Sequence, residues 1–250
     1  MKIGILIPTR ERPNLQLTLI SSIITTVNNI NNVNIYFGVD KDDRYFNIME
    51  KICEAIPCVH MVPIENDGKF IGINRIWNLL AEKCNDEIFG YAGDDFMWKT
   101  LNWDVEILKE FNDKNLPDDK IKLVHTYDGH RNGDLSTNAF VHRKYYEVMG
   151  YFCRPEFLIN YSDSWMYQMF GAFNRIKYRP DITIYHNHWI YKDRDIDTTA
   201  KRMLSNGNDK ASDVMWAKLR PQHFEDIKKL GEYLKITPDW SKVDPCNQTK

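Results

Sequence analysis

Apolar residues along the first hundred positions alternate between short unbroken runs and stripes at helical spacing. Residues 3–7 form a compact apolar run stopped by Pro8, the signature of a buried strand. Pro13 suits the first turn of a helix. Leu15, Leu19, Ile20, Ile23, Ile24 and Val27 follow at helical spacing, up to an Asn-rich stretch at 28–34. A second strand is expected over 34–39, ending at Asp40, then a helix over 45–56 and a third strand over 59–64. Residues 70–84 place Ile73, Ile76, Trp77 and Leu80 on one helix face, and 88–92 read as a fourth strand leading into Asp94 and Asp95. Strands alternating with helices in this way predict an α/β fold with a parallel sheet covered on both faces.

The second half changes texture. Helices are expected over 101–111, 143–149 and 164–173, and strands over 120–127 and 138–142. Residues 128–136 read as a polar loop. Two short strands, 176–178 and 182–185, flank a turn at 179–181, and the motif H-N-H-W follows at 186–189. From about 195 the chain is polar and then helical, with one amphipathic stretch over 224–234. This divides the chain into 1–100, 101–190 and a helical C-terminal extension, 191–250.

In parallel sheets ligands bind beyond the carboxyl ends of the strands. Those ends carry Thr9 and Arg10, then Asp40, then Asp94 and Asp95, so three strands deliver polar groups to one rim. Two adjacent carboxylates in low dielectric repel and resist ionising. A divalent cation or a phosphate-bearing ligand resolves that conflict, whereas a solvated turn avoids it. Asp94 and Asp95 are hard oxygen ligands suited to Mg²⁺ or Mn²⁺. His186 and His188 alternate on an extended chain, which puts both on one side. Arg10 and Arg75 suit phosphate as planar, bidentate partners, and Arg75 equally suits an acid on the helix surface. Asn74 and Asn78 lie four apart on one helix face. Asp163, before an apolar helix, suits either an N-cap or a general base. Trp98 and Trp103 suit core packing or stacking on a ring. No G-x-G-x-x-G follows the first strand and no G-x-x-x-x-G-K-[ST] occurs, which leaves a dinucleotide site and a P-loop unsupported.

Composition adds little beyond exclusions. The 250 residues are 43% hydrophobic with a net charge of −2, which does not fit the basic footprint of a nucleic-acid binder. Five cysteines, at 53, 58, 84, 153 and 246, show no C-x-x-C pair, so neither a disulfide framework nor a zinc knuckle is expected. A reducing cytosol is the expected home. The first apolar run is too short for a signal peptide, and no run approaches the ~18 apolar residues of a membrane span. Cytoplasmic location is expected, with attachment to a membrane surface left open.

Taken in order, these motifs resemble the GT-A glycosyltransferases, especially family-2-like enzymes, over roughly 1–190. P-T-R-E-R-P at 8–13 resembles the family's nucleotide-binding turn, with Pro8, Thr9, Arg10 and Arg12 on the donor. Asp40 stands where the family keeps its base-contacting acid. G-I-N-R-I-W-N at 72–78 is similar to the family helix carrying Asn and Arg, here Asn74, Arg75 and Asn78. Y-A-G-D-D at 91–95 looks like its D-x-D-type signature. T-N-A-F-V-H-R-K-Y-Y-E-V-M-G-Y-F at 137–152 resembles its acceptor-side strand, helix and Gly-x-Phe. The resemblance implies a GT-A (Rossmann-like) mixed, mostly parallel sheet and transfer from a nucleotide-diphosphate sugar, UDP-linked by default. Asp95 would hold Mn²⁺ or Mg²⁺, with His186, or His188 in its place, completing the shell. Asp94 would meet ribose or sugar. Asp163 would deprotonate an acceptor hydroxyl, with inversion, and Trp98, Asp128 and Trp165 would line the acceptor. The family often has Glu-Asp where this chain has Ser162–Asp163, so Asp128, Asp134 and Glu156 stay open as bases, and retention stays open with them. The acceptor is expected to be a glycan, a lipid-linked hydroxyl or another hydroxyl rather than modified DNA. Competing readings are a sugar-nucleotide nucleotidyltransferase, for which the first turn lacks glycines, and a non-catalytic sugar-binding module. Lys192, Arg194, Lys201 and Arg202 read as a solvated surface rather than as a lid.

Overall fold

A computed structural model describes residues 1–243; Cys246 and the end of the expected C-terminal extension lie outside the described residues. The first half is built from β1 (Ile3–Thr9), α1 (Pro13–Thr26), β2 (Val33–Asp40), α2 (Phe46–Ala55), β3 (Val59–Ile64), α3 (Ile73–Lys83) and β4 (Ile88–Tyr91). The second adds β5 (Phe96–Trp98), α4 (Trp103–Asn112), β6 (Leu123–Tyr127), β7 (Ala139–His142), α5 (Arg143–Met149), α6 (Ser162–Gly171) and β8 (Ile176–His186). Two further helices, α7 (Thr198–Leu204) and α8 (Asn208–Leu234), follow.

Among the described residues the eight strands lie in the order β3-β2-β1-β4-β7-β6-β8-β5. The first four are parallel, β7 is antiparallel to both β4 and β6, and β5 is antiparallel to β8. Side chains of the central strands are buried on both faces, as their unbroken apolar runs require. Ile3, Ile5 and Ile7 pack with Leu19, Ile23, Phe37, Trp103 and Ile107 on one face. Leu6, Phe89 and Val141 pack with Trp77, Leu80, Trp165 and Phe170 on the other. Gly38 lets α3 approach β2, since a Cβ there would lie 2.4 Å from Ile76 Cγ2.

Several boundaries differ from expectation for physical reasons. β1 runs through Pro8 to Thr9. Its even-numbered carbonyls face β4, as Ile88 N–H and Ala92 N–H donating to Lys2 and Leu6 show. Its pairing with β4 ends at Leu6, so the missing Pro8 donor falls beyond the ladder. β5 has no counterpart in the sequence pattern, because three residues carry no period. The expected turn at 179–181 is a bulge inside one long strand, where Thr126 pairs with Arg179 but Tyr127 with Thr183. α8 passes through the exposed Pro221 and begins sixteen residues before Phe224. The backbone hydrogen bond lost there is offset by packing, with Trp216, Leu219, Ile227 and Leu230 all on the core.

Candidate active site

The carboxyl ends of β1, β2 and β4 place Thr9, Asp40 and the Asp94–Asp95 pair on one rim. Asp94 and Asp95 are buried, at 3% and 7% exposure. The two acids are adjacent (Gly-Asp-Asp), not spaced as D-x-D. Each has its own partners. Asp94 accepts from Thr9 Oγ1 at 2.7 Å and Arg12 Nη1 at 2.6 Å. Asp95 accepts from Arg194 Nη2 at 2.9 Å and faces His186 Nε2 at 3.4 Å. Burial raises the Asp94 carboxyl above the usual range, with the Asp95 charge adding and Arg12 and Thr9 opposing. Burial pushes Asp95 the same way, but hydrogen bonding and charge from His186, then Arg12 and Arg194, hold it below the usual range.

The register of β5 on β8 explains how a histidine 91 residues away reaches Asp95. Phe96 pairs with His186, and Asn187 N–H donates to the Asp95 carbonyl at 2.9 Å. The His186 ring stacks on Phe96 at 4.0 Å. His188 lies 4.6 Å from His186, ring to ring. One ligand atom each from Asp95, His186 and His188 lie within 4.8 Å of one another. Burial, then the neighbouring His186, pushes His188 down to about 4, which leaves it neutral and able to donate a lone pair. In this structure that lone pair sits on Nδ1 and accepts from Ile190 N–H at 3.3 Å, so a cation would replace this hydrogen bond or take the other tautomer. A carboxylate with two imidazoles suits a first-row transition cation better than Mg²⁺, which prefers oxygen; Mn²⁺, though hard, belongs to that row.

Arg10 sits between Asp40, at 2.8 Å, and Asp42. Arg12 spans Asp94 and Asp197, the latter at 2.8 Å. Asp197 also holds Arg194 at 2.8 Å and caps α7 through Ala200 N–H. Thr199 Oγ1 donates to the Arg10 carbonyl at 2.8 Å, and Arg202 approaches Asp40 at 3.7 Å. The segment from 187 to 202 therefore closes over the rim. Lys192 and Lys201 are solvated as expected, but Arg194 and Arg202 are not. Charge pairing with Asp95 and Asp40 draws them in. Asp197 and Thr199, which the sequence pattern does not single out, meet Arg12, Arg194 and the Arg10 carbonyl at the rim. The available signal was Asp197 before T-T-A-K-R, a helix-start pattern.

Other expected contacts are not at this rim. Asn74, Arg75 and Asn78 bond the backbone of the loop before α6. Asn74 Nδ2 donates to the Arg154 carbonyl at 3.2 Å and Arg75 Nε to that of Pro155 at 3.2 Å. Asn78 donates to the Cys153 carbonyl and accepts from Phe152 N–H at 2.6 Å. Trp98 packs on Trp103 in one core and Trp165 lies in the other, at 3% and 1% exposure, so neither offers a ring to an acceptor. Asp128 is consumed by its own loop, accepting from His130 N–H, Arg131 N–H and Thr137 Oγ1. Asp134 is exposed and pairs with Arg131, and Glu156 pairs with Arg154. Asp163 is half-buried in the first turn of α6, and Tyr161, not Asp163, is the N-cap residue. Its Oδ1 accepts from Ser164 N–H at 2.8 Å. Burial raises its carboxyl, with Ser164 N–H, Arg131 and His186 opposing. Cys53, Cys58, Cys84 and Cys153 are free thiols, and among the described residues no helix is long and apolar enough to cross a membrane.

No protein-family model and no curated protein matches the chain. Solved structures do. S. aureus TarS 1–349 in complex with UDP superposes with a TM-score of 0.59 at 12% identity, over 96% of this chain and 77% of that one. In another TarS structure the chain spans 43% of that protein's length, with a TM-score of 0.59 and 11% identity. The mannosyltransferase PcManGT from Pyrobaculum calidifontis, in complex with GDP-Man and Mn²⁺, gives a TM-score of 0.58 at 12% identity over 94% of this chain and 79% of its own. GalNAc-T7 with UDP, GalNAc and Mn²⁺ gives 0.59 at 10% identity over 74% and 44%. The chain has the GT-A fold.

Proposed function

We propose that the chain is a metal-dependent glycosyltransferase that moves a sugar from a nucleotide-diphosphate sugar, UDP-linked in the first instance, to an acceptor hydroxyl. One observation carries this reading. Two buried acids, two histidines and two arginines converge beyond the strand ends of a GT-A sheet. Structural neighbours supply the context, since TarS was solved with UDP, and PcManGT with GDP-Man and Mn²⁺.

Asp95, His186 and His188 would hold the cation. When bound, it would neutralise the diphosphate and the charge that develops as that group departs. Asp40 would accept from the nucleobase, with Arg10 beside it as donor. Asp94 would accept from ribose or sugar hydroxyls. Arg12 and Arg194, paired here with Asp94 and Asp95, are the cations held against these acids and would turn to the diphosphate. Asp163 would take the acceptor hydroxyl proton. That oxygen attacks the anomeric carbon, the bond to the diphosphate oxygen breaks, and the diphosphate leaves with the electron pair. Attack opposite the leaving group inverts the centre. The raised Asp163 carboxyl suits a base, which supplies roughly 10²–10⁴-fold.

The test is a panel of UDP- and GDP-sugars, each with Mn²⁺ and with chelator, read as release of nucleoside diphosphate. Expected is one donor turned over only with metal and not by Asp95→Asn. No turnover of any donor, with metal-dependent binding intact, would point to a binding module.

A further inference from the structure

We propose that helix α8 of the C-terminal extension positions Asp163 through Tyr161, which makes Tyr161, Asp213 and Trp216 positioning residues for acceptor activation; this rests on the reading of Asp163 as the base. Tyr161 immediately precedes α6 and has φ +74° and ψ −3°. L side chains avoid that left-handed region, and glycine or asparagine occupies it more readily. Nor does tyrosine serve locally as a cap: it makes no side-chain cap hydrogen bond, where Ser, Thr, Asp or Asn would. The reason for a tyrosine lies across the interface. Its ring stacks on Trp216 at 4.9 Å and 24°, and its hydroxyl donates to Asp213 Oδ1 at 2.5 Å. Both partners belong to α8.

One turn further along α6, Trp165 is held by the same helix. Its ring lies 4.0 Å from that of His223, and His223 Nε2 bonds the Trp165 carbonyl at 3.2 Å. Tyr161 and Trp165 thus bracket Asp163, two residues from each. Trp165 N–H closes the turn by donating to the Tyr161 carbonyl at 2.8 Å. The preceding loop is also held by α3, through Asn74, Arg75 and Asn78. The first turn of α6 is therefore clamped, and a clamp that keeps an unfavoured backbone angle fixes where the carboxylate points. Strain of this kind persists only where surrounding contacts over-determine it.

The experiment compares Tyr161→Phe, Tyr161→Gly, Asp213→Ala and Asp213→Asn with wild type. Turnover uses the donor selected by the panel, with Mn²⁺ and glycerol as hydroxyl acceptor. Expected for Tyr161→Phe and Asp213→Ala is a fall of at least tenfold in kcat, with donor KM within twofold. Asp213→Asn keeps an acceptor oxygen and restores most of kcat. Tyr161→Gly suits the backbone angle best, yet it loses the ring and is expected to fall furthest. Amide hydrogen exchange at Ser164 and Trp165, measured without substrate, is expected to quicken at least tenfold in Asp213→Ala. Unchanged kcat in Tyr161→Phe and Asp213→Ala, whether or not exchange quickens, or full activity in Tyr161→Gly, would overturn the clamp. Asp163→Asn distinguishes the two failures. If it keeps wild-type kcat the base assignment falls, and the clamp with it; if it is inactive while Tyr161→Phe and Asp213→Ala are normal, only the clamp falls.

Discussion

Replacing Arg194 with alanine should destabilise the metal-free protein and tighten its hold on Mn²⁺. Arg194 Nη2 lies 2.9 Å from Asp95 Oδ2, with the side chains 12% and 8% exposed. At that distance and an effective dielectric of about 20, the attraction is roughly 6 kcal/mol before desolvation. Removing one partner of a buried pair costs about 3–5 kcal/mol. His186 and Arg12 still face Asp95, which puts the expected loss near the lower end, about 3 kcal/mol. For a chain of this size that lowers Tm by about 6–12 °C. A cation bound at Asp95, His186 and His188 would compensate the same carboxylate. Metal binding in Arg194→Ala should regain that free energy, so the Kd for Mn²⁺ should fall by about 100-fold. Calorimetric titration of Mn²⁺ gives the affinity, and thermal unfolding in chelator gives the stability. Affinity that is unchanged or weaker, alongside a lowered Tm, would refute the competition between Arg194 and metal.

Further outcomes follow from the same geometry. His125 is buried between Tyr178 and Tyr167, its nitrogens lack hydrogen-bond partners among the described residues, and burial pushes it from 6.5 down to about 4. The unfolded chain therefore takes up this proton first as pH falls, and stability is lost from about pH 6.5 towards 4, by at most ~1.4 kcal/mol per pH unit. His125→Phe should raise stability by about 1 kcal/mol at pH 7 and flatten that acid loss in urea titrations. Asp163→Asn should lower kcat by about 10²–10⁴. In wild type the carboxyl is raised by burial, so activity should rise with pH through a limb above the ordinary carboxylate range, and this limb should vanish in the variant. Gly38→Val should cost about 1–3 kcal/mol by driving α3 off β2, read from the urea midpoint.

The α/β order and the polar rim were legible because buried parallel strands leave unbroken apolar runs that end where the sheet ends. Thr9, Arg10, Asp40, Asp94 and Asp95 follow from that rule alone. The histidines were legible as candidates, but not their meeting with Asp95, which depends on the pairing of Phe96 with His186 and thus on a three-residue strand without a period. Trp98 and Trp165 lie in the two cores, and an aromatic beside an acidic motif reads alike whether it faces a ligand or a core. Asn74, Arg75 and Asn78 show the same ambiguity: polar residues spaced on a helix face meet backbone carbonyls of a loop 75–80 residues away. Arg194 and Arg202 appeared solvated because the acids that attract them are 99 and 162 positions earlier in the chain.

The most direct test of a metal-dependent nucleotide site at the rim is calorimetric titration of UDP, and in parallel GDP, into wild type and Asp95→Asn, each with Mn²⁺ and with chelator. We expect one nucleotide to bind wild type with Mn²⁺, at least tenfold more weakly with chelator, and with no metal dependence in Asp95→Asn. Neither nucleotide binding the folded, Mn²⁺-supplied protein, or equal binding with and without metal, would contradict it.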